Sequence, residues 1–228
     1  MINNWIKAYK SYNWTVDLSN FQDAKKYQNA FNSVITPQKL IEFETSFRTQ
    51  ITSPNSASFV KAGEVCYWKN FGAFQNRDTI TVKLMNRLSI EENWDNFSSA
   101  IKKISKDPKY EFFLDLTNAC NQPYGFATPI TFLAFYQPTD FPMVDRHIAE
   151  WWNNNSKKFG YEKDLKFNYP TGTITKSETN WNTYLYWAAF CNEISNIMST
   201  KYQAAWRPRD VEMAVWQAKK NNITLENP

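Results

Sequence analysis

Trp181, Tyr184, Leu185, Ala188, Cys191, Ile194 and Met198 recur at three- and four-residue spacing through one uninterrupted stretch of the chain. That spacing lays apolar side chains along one face of a helix over about 178–200, and a strand, with its two-residue alternation, cannot use it. A chain containing such an element has to bury the stripe against other helices. The same period recurs elsewhere. Thr36-Pro37 supplies a capping residue and a proline suited to a first helical position, and Leu40, Phe43, Phe47 and Ile51 then repeat until Pro54 ends the run. Residues 57–70 carry Phe59, Ala62 and Cys66 near one side, and a further helix is expected over 79–88. Ser89-Ile90-Glu91-Glu92, with acids in a first turn, opens a helix carrying Trp94, Phe97, Ile101 and Ile104. Asp107-Pro108 opens the next, with Phe112, Leu114 and Leu116. Helices over 128–136 and 145–155 flank a Pro-rich loop, and Arg207-Pro208-Arg209-Asp210 starts a last one with Val211, Val215 and Trp216. Only the segment 159–176, with Gly160, Pro170 and Gly172, reads as an irregular excursion, and a strand pair is not expected there. The fold class is therefore all-α, with ten or so helices and no internal repeat.

A length of 228 residues suffices for one large domain or two small subdomains sharing a core. The ten tryptophans are expected mostly in that core, with a few aromatics left to form a pocket for a planar ligand such as a base. A net charge of +4 permits nucleic-acid binding without requiring it. Cys66, Cys120 and Cys191 are far apart and odd in number, so neither a disulfide framework nor a zinc or iron–sulfur site has support. No metal or cofactor is expected. No apolar run reaches the length of a membrane span and no signal-like apolar segment opens the chain, which points to an intracellular, soluble protein with no membrane partner.

Chemistry concentrates in residues 123–148. A glycine-containing turn, Tyr124-Gly125-Phe126-Ala127-Thr128, is followed by a short apolar helix, a Pro-rich loop and then Val144-Asp145-Arg146-His147-Ile148. Asp145 stands at a helix start behind a segment poor in charge. Aspartate is a favoured N-cap, so a purely structural role is available to it.

This order of parts resembles the helix-hairpin-helix DNA glycosylase superfamily, with the Val-Asp-x-His string of endonuclease III and its relatives and with the 8-oxoguanine glycosylase-like branch nearest. Asp145 follows Gly125 by 20 positions, about the spacing of that family. The resemblance covers 121–152 well and the last helix weakly. It implies two helical subdomains with a cleft between them: a hairpin-containing helical barrel over 55–145, and a second subdomain of 1–54 plus 146–228. It implies a monomer acting on double-stranded DNA that carries a damaged or modified base. Asp145 becomes the catalytic carboxylate, 124–128 the DNA-backbone contact, and His147 a support for the loop. Trp206, Asp210 and Met213 on the last helix become candidates for a flipped-base pocket. Read without the resemblance, Asp210 complements its helix N-terminus and Trp206 packs.

The chain departs from the family at Pro129, which stands where bifunctional members carry a lysine nucleophile. No lysine lies between Lys109 and Lys157, so a Schiff base with the sugar has no amine to form it. The turn also has one glycine where a Gly-x-Gly is usual. The implied activity is monofunctional: hydrolysis of the N-glycosidic bond by Asp145 and water. Two alternatives stand beside it. One is a catalytically silent DNA-binding member of the same fold; the other is an all-α interaction module with a Trp-rich surface, in which Asp145 is only a cap. Lys157, Lys158, Lys163 and Lys166 form either a solvated face or a phosphate-contacting edge.

Overall fold

The structure is a computed structural model describing residues 2–27, 31–73, 75–120, 125–168, 171–202 and 204–228. Ten α-helices and two two-residue strand pairs occur among the described residues, and no helix there is long and apolar enough to cross a membrane. The chain divides into two units. One comprises Asn13–Pro123 with Thr131–Tyr136, and the other Met1–Tyr12, Tyr124–Ile130 and Gln137–Pro228.

In the first unit, β1 (Val16–Asp17) pairs antiparallel with β2 (Val34–Ile35), Val16 opposite Ile35. After α1 (Ile2–Lys10), which belongs to the other unit, there follow here α2 (Leu40–Thr52), α3 (Ser58–Lys69), α4 (Arg77–Leu88), α5 (Glu91–Lys106) and α6 (Tyr110–Ala119). A 3-10 turn, Pro37–Lys39, delays the start of α2 to Leu40, so Pro37 opens that turn rather than the α-helix. The expected stripe Leu40, Phe43, Phe47 and Ile51 is buried. Its partner is the second half of α7 (Ala127–Tyr136), a helix that is apolar all round and therefore buried all round from Ile130 to Phe135. Phe132 stacks on Phe47 at 5.7 Å and meets Phe97 edge-on at 5.1 Å, and Phe135 meets Phe43 and Trp68 edge-on, each at 5.2 Å. Such pairs add roughly 0.5–1.5 kcal/mol each beyond area burial. Gly63 brings α3 and α4 together: a Cβ there would lie 2.4 Å from Met85 Sδ.

The resemblance implies that 1–54 joins the C-terminal part. The contacts of 13–54 run instead to the middle of the chain, because α2 packs on α3 and its phenylalanines on α7. Residues 1–12 do join the C-terminal part.

In that second unit, α1 (Ile2–Lys10), which has no counterpart in the expected series, lies along α10 (Pro208–Lys220). Asn4 and Trp5 donate to the carbonyls of Thr224 and Glu226 and hold the C-terminal segment. Between them come α8 (Arg146–Asn155) and the 25-residue α9 (Glu178–Tyr202). Trp151 and Trp152 of α8 pack with Trp187 and Phe190 of α9 in a fully aromatic core, ring centroids 5.6–6.3 Å apart.

Among the described residues of 159–176 there is a strand pair that the sequence reading does not expect. β3 (Phe167–Asn168) pairs with β4 (Thr173–Ile174) across a turn in which Gly172 takes a positive φ of 69°. Lys166, just before β3, accepts from the Thr175 N–H at 3.0 Å, and side-chain amides serve the rest of the stretch. Asn153 pairs in both directions with the backbone of Leu165, and Asn180 does the same with Lys166. Two side-chain amides thus satisfy backbone groups of Leu165 and Lys166 ahead of the short strand pair.

Glu64 is almost fully buried on α3, against the Lys61 ammonium. Desolvation outweighs the attraction of Lys61 and raises its carboxyl to about 7. The folded protein therefore holds this proton to higher pH than the unfolded chain does. Stability contributed by the protonated form is fully present below the unfolded value of 4.5 and is lost as pH rises to about 7. The shift corresponds to roughly 3 kcal/mol. Glu64→Gln should flatten that fall and stabilise the protein at pH 8 by roughly 1–3 kcal/mol in urea unfolding. A steeper fall, or a less stable variant, would contradict the assignment.

Candidate functional site

The loop 137–144 links α7 to α8 and presents Asp145. It is buried over Phe141–Val144, an unusual place for irregular backbone, whose carbonyls need donors. α9 provides them. The Tyr184 hydroxyl donates to Pro142 O at 2.9 Å, and Trp187 Nε1 donates to Met143 O at 3.0 Å, both in the interior. Burial holds the Tyr184 phenol well above its ordinary value, so it remains a donor. At the other end of the loop, Phe141 N–H closes on Gln137 O, and the Arg209 N–H of α10 reaches Pro138 O at 3.4 Å.

Asp145 follows directly. Its backbone is extended, at φ −142° and ψ −173°, and Oδ1 accepts from the Ile148 N–H at 3.0 Å, while its carbonyl accepts from the Ala149 N–H at 2.8 Å. It is the N-cap of α8 and is half-buried. The capping geometry fixes where the carboxylate sits at the start of the helix.

The neighbours of Asp145 on α8 are engaged elsewhere. Arg146 crosses Gly172, where a Cβ would come within 2.4 Å of Arg146 Cδ, and its Nε binds Glu150 at 2.7 Å. That hydrogen bond holds the Glu150 carboxyl below its ordinary value, with Lys219 at 3.4 Å adding to it. His147 is exposed, and its ring stands edge-on to Trp216 at 6.2 Å. It therefore braces α8 on α10.

Of the expected backbone contact, Tyr124 lies outside the described residues. Gly125 and Phe126 precede α7, and Ala127, Thr128 and Pro129 form its first turn. Phe126 is buried against Tyr184 at 6.0 Å, Thr128 and Pro129 are buried, and Gly125 and Ala127 are half-buried. Pro129 contributes no N–H, which a first turn tolerates.

The last helix carries its candidates in another setting. Asp210 accepts from the Arg207 N–H at 2.8 Å in a capping box and from the Arg207 guanidinium, also at 2.8 Å. Met213 is buried in the core, and Trp206 is half-buried against Tyr9 at 4.9 Å with its backbone N–H on Ser199. Arg209 and Glu212 form an ion pair in the interior. Lys157, Lys158, Lys163 and Lys166 are exposed on the segment after α8. Seven tryptophans are buried and Trp14, Trp206 and Trp216 half-buried, so the Trp-rich surface of the interaction-module reading does not form. Burial also pushes all three cysteine thiols upward, which removes them as nucleophiles. No group of three or more metal-ligating side chains occurs among the described residues.

Comparison with protein-family models, curated proteins and solved structures finds no match for this chain.

Tyr184→Phe keeps the ring and removes only the donor to Pro142 O. An orphaned buried carbonyl costs about 1–3 kcal/mol, and urea unfolding of the variant should register that loss with helix content unchanged. A loss under about 0.5 kcal/mol would mean that the loop does not depend on the bond.

Proposed function

We propose that this chain is a divergent helix-hairpin-helix DNA glycosylase, monofunctional, that hydrolyses the N-glycosidic bond of a damaged or modified base in double-stranded DNA. The observation that carries the reading is the state of Asp145. It is a carboxylate held in extended backbone as the N-cap of α8, behind a buried loop pinned through two carbonyls and an apolar helix. Structural capping alone needs only the aspartate. The buried loop ahead of it is added structure that fixes where the carboxylate sits.

In the proposed reaction the bond between C1′ and the base nitrogen breaks, and its electron pair leaves with the base. Asp145 stabilises the positive charge that develops on the sugar. Water adds to C1′, and its proton passes by way of the carboxylate to the departing base. No amine is required, which agrees with Pro129 at the lysine position. The N–H groups at the start of α7 are the proposed phosphate contact, and the exposed lysines 157, 158, 163 and 166 a secondary one. Pro129 and the single glycine also favour a second reading, a silent DNA-binding protein of the same fold.

Asparagine caps a helix as well as aspartate does, so Asp145→Asn should unfold at the wild-type urea midpoint. Base release from duplexes carrying 8-oxoguanine, uracil or alkylated purines, with alkali used to reveal abasic sites, should fall at least about a hundredfold in that variant. Strand scission by the wild type should require the alkali. Release that survives Asp145→Asn would remove the mechanism, and binding without release on every lesion would establish the silent reading.

A further inference from the structure

A carboxylate that works on DNA meets an electrostatic difficulty. A DNA strand carries one phosphate charge per about 3.4 Å of helix axis, so a carboxylate set against a deoxyribose stands among anions. Cations beside it have to offset the repulsion. Arg146 and His147 follow Asp145 in the first turn of α8, and Lys219 and Lys220 end α10, which packs on α8. Glu150 is the one acid of α8, and residues 214–220 of α10 carry none. Arg146, Lys219 and Lys220 thus stand against Glu150 alone, before any proton on His147.

These cations are not equivalent. Arg146 Nε binds Glu150 at 2.7 Å and Lys219 Nζ reaches the same carboxylate at 3.4 Å, so one acid occupies both. Lys220 and His147 have no carboxylate partner among the described residues. Both are exposed, and Trp216 sets both. Lys220 stands one turn on from Trp216, with Nζ over the indole at 5.0 Å from its centroid, and the His147 ring stands perpendicular to the same indole at 6.2 Å. Tyr12, just beyond α1, meets it edge-on at 5.7 Å and helps to fix it. Basic residues in a last helical turn are ordinary, because they complement the helix dipole. That need does not account for an imidazole from another helix beside the same ring. A cation–aromatic contact places an ammonium and leaves its N–H donors free for an anion, which an ion pair with a carboxylate does not.

We propose that Lys220 and His147, steadied by Trp216, hold a backbone phosphate of the DNA strand beside the nucleotide at Asp145; the inference rests on the glycosylase reading. Lys220 supplies a full charge with its donors, and the exposed imidazole supplies an N–H. The non-bridging oxygens of a phosphodiester only accept, and both groups donate, so the pair matches a backbone phosphate. Such a contact carries no sequence information. It positions the strand for Asp145 and offsets the charge around it without choosing the lesion.

The test is binding of the full chain to a duplex with a tetrahydrofuran abasic site, followed by fluorescence anisotropy from about 50 to 200 mM salt. Lys220→Gln should flatten the plot of log affinity against log salt by about one unit, and Lys220→Arg should keep the wild-type slope. Lys220→Gln combined with His147→Gln should weaken binding at least about tenfold at the lowest salt. Lys106→Gln removes the same charge from an exposed position on α5 of the other unit and should leave the slope unchanged. Each substitution is on an exposed side chain, and urea unfolding checks that the fold is kept. An unchanged slope in Lys220→Gln, full affinity in the double variant, or equal flattening by Lys106→Gln would each overturn the phosphate contact. Those outcomes leave the glycosylase reading standing, since wild-type binding and base release report it separately. A wild type that binds no duplex at about 50 mM salt would overturn both.

Discussion

Two buried hydrogen bonds, Tyr184 to Pro142 O and Trp187 Nε1 to Met143 O, carry more of the second unit than their number suggests. Without them, a stretch of irregular backbone would sit in an apolar interior with unanswered carbonyls. With them, the loop becomes a fixed strut from α7 to α8. Everything that concerns Asp145 follows: the extended conformation that makes it a cap, the first turn of α8, and the point in space at which a carboxylate is offered. The same helix holds the aromatic core through Trp187 and Phe190 and the approach to β3 through Asn180. α9 is therefore both the scaffold of the core and the source of the donors that position the site.

The helical architecture was legible because apolar spacing and helix boundaries report the same thing. Leu40, Phe43, Phe47 and Ile51 are one buried face, as their period requires, and α3, α5, α7 and α8 fall within a few residues of their expected spans. The departures have identifiable causes. Pro37 begins a 3-10 turn, which a proline serves as well as an α-helical start. α1 has few apolar positions and owes its place to Trp5, Ala8 and α10 rather than to a long stripe. The strand pair β3–β4 depends on Gly172 and on amides at Asn153 and Asn180, each more than ten positions from the backbone it serves. Side-chain to backbone pairings of that range leave no periodic trace.

The site was legible in part. Asp145 at a helix start followed from local sequence, since the residue type and the turn before it are sufficient. Its anchors were not, because nothing in 137–144 names its donors 42 and 44 positions away. The one available signal was general: a tyrosine and a tryptophan on the buried face of α9 each need an acceptor. On the last helix, Asp210, a pocket candidate in the sequence, pairs with Arg207 in the structure, and Arg209 pairs with Glu212. Charge at a helix start serves the helix first.

The central claim is that Asp145 faces positive charge developing on a deoxyribose. It is tested most directly by comparing affinity for two duplexes, one carrying a cationic azasugar nucleotide and one a neutral tetrahydrofuran abasic site. The account predicts tighter binding of the cationic analogue, by about a hundredfold, with the preference abolished in Asp145→Asn while affinity for the neutral site is kept. Equal affinity of the wild type for both duplexes, or a preference that survives the substitution, would contradict it.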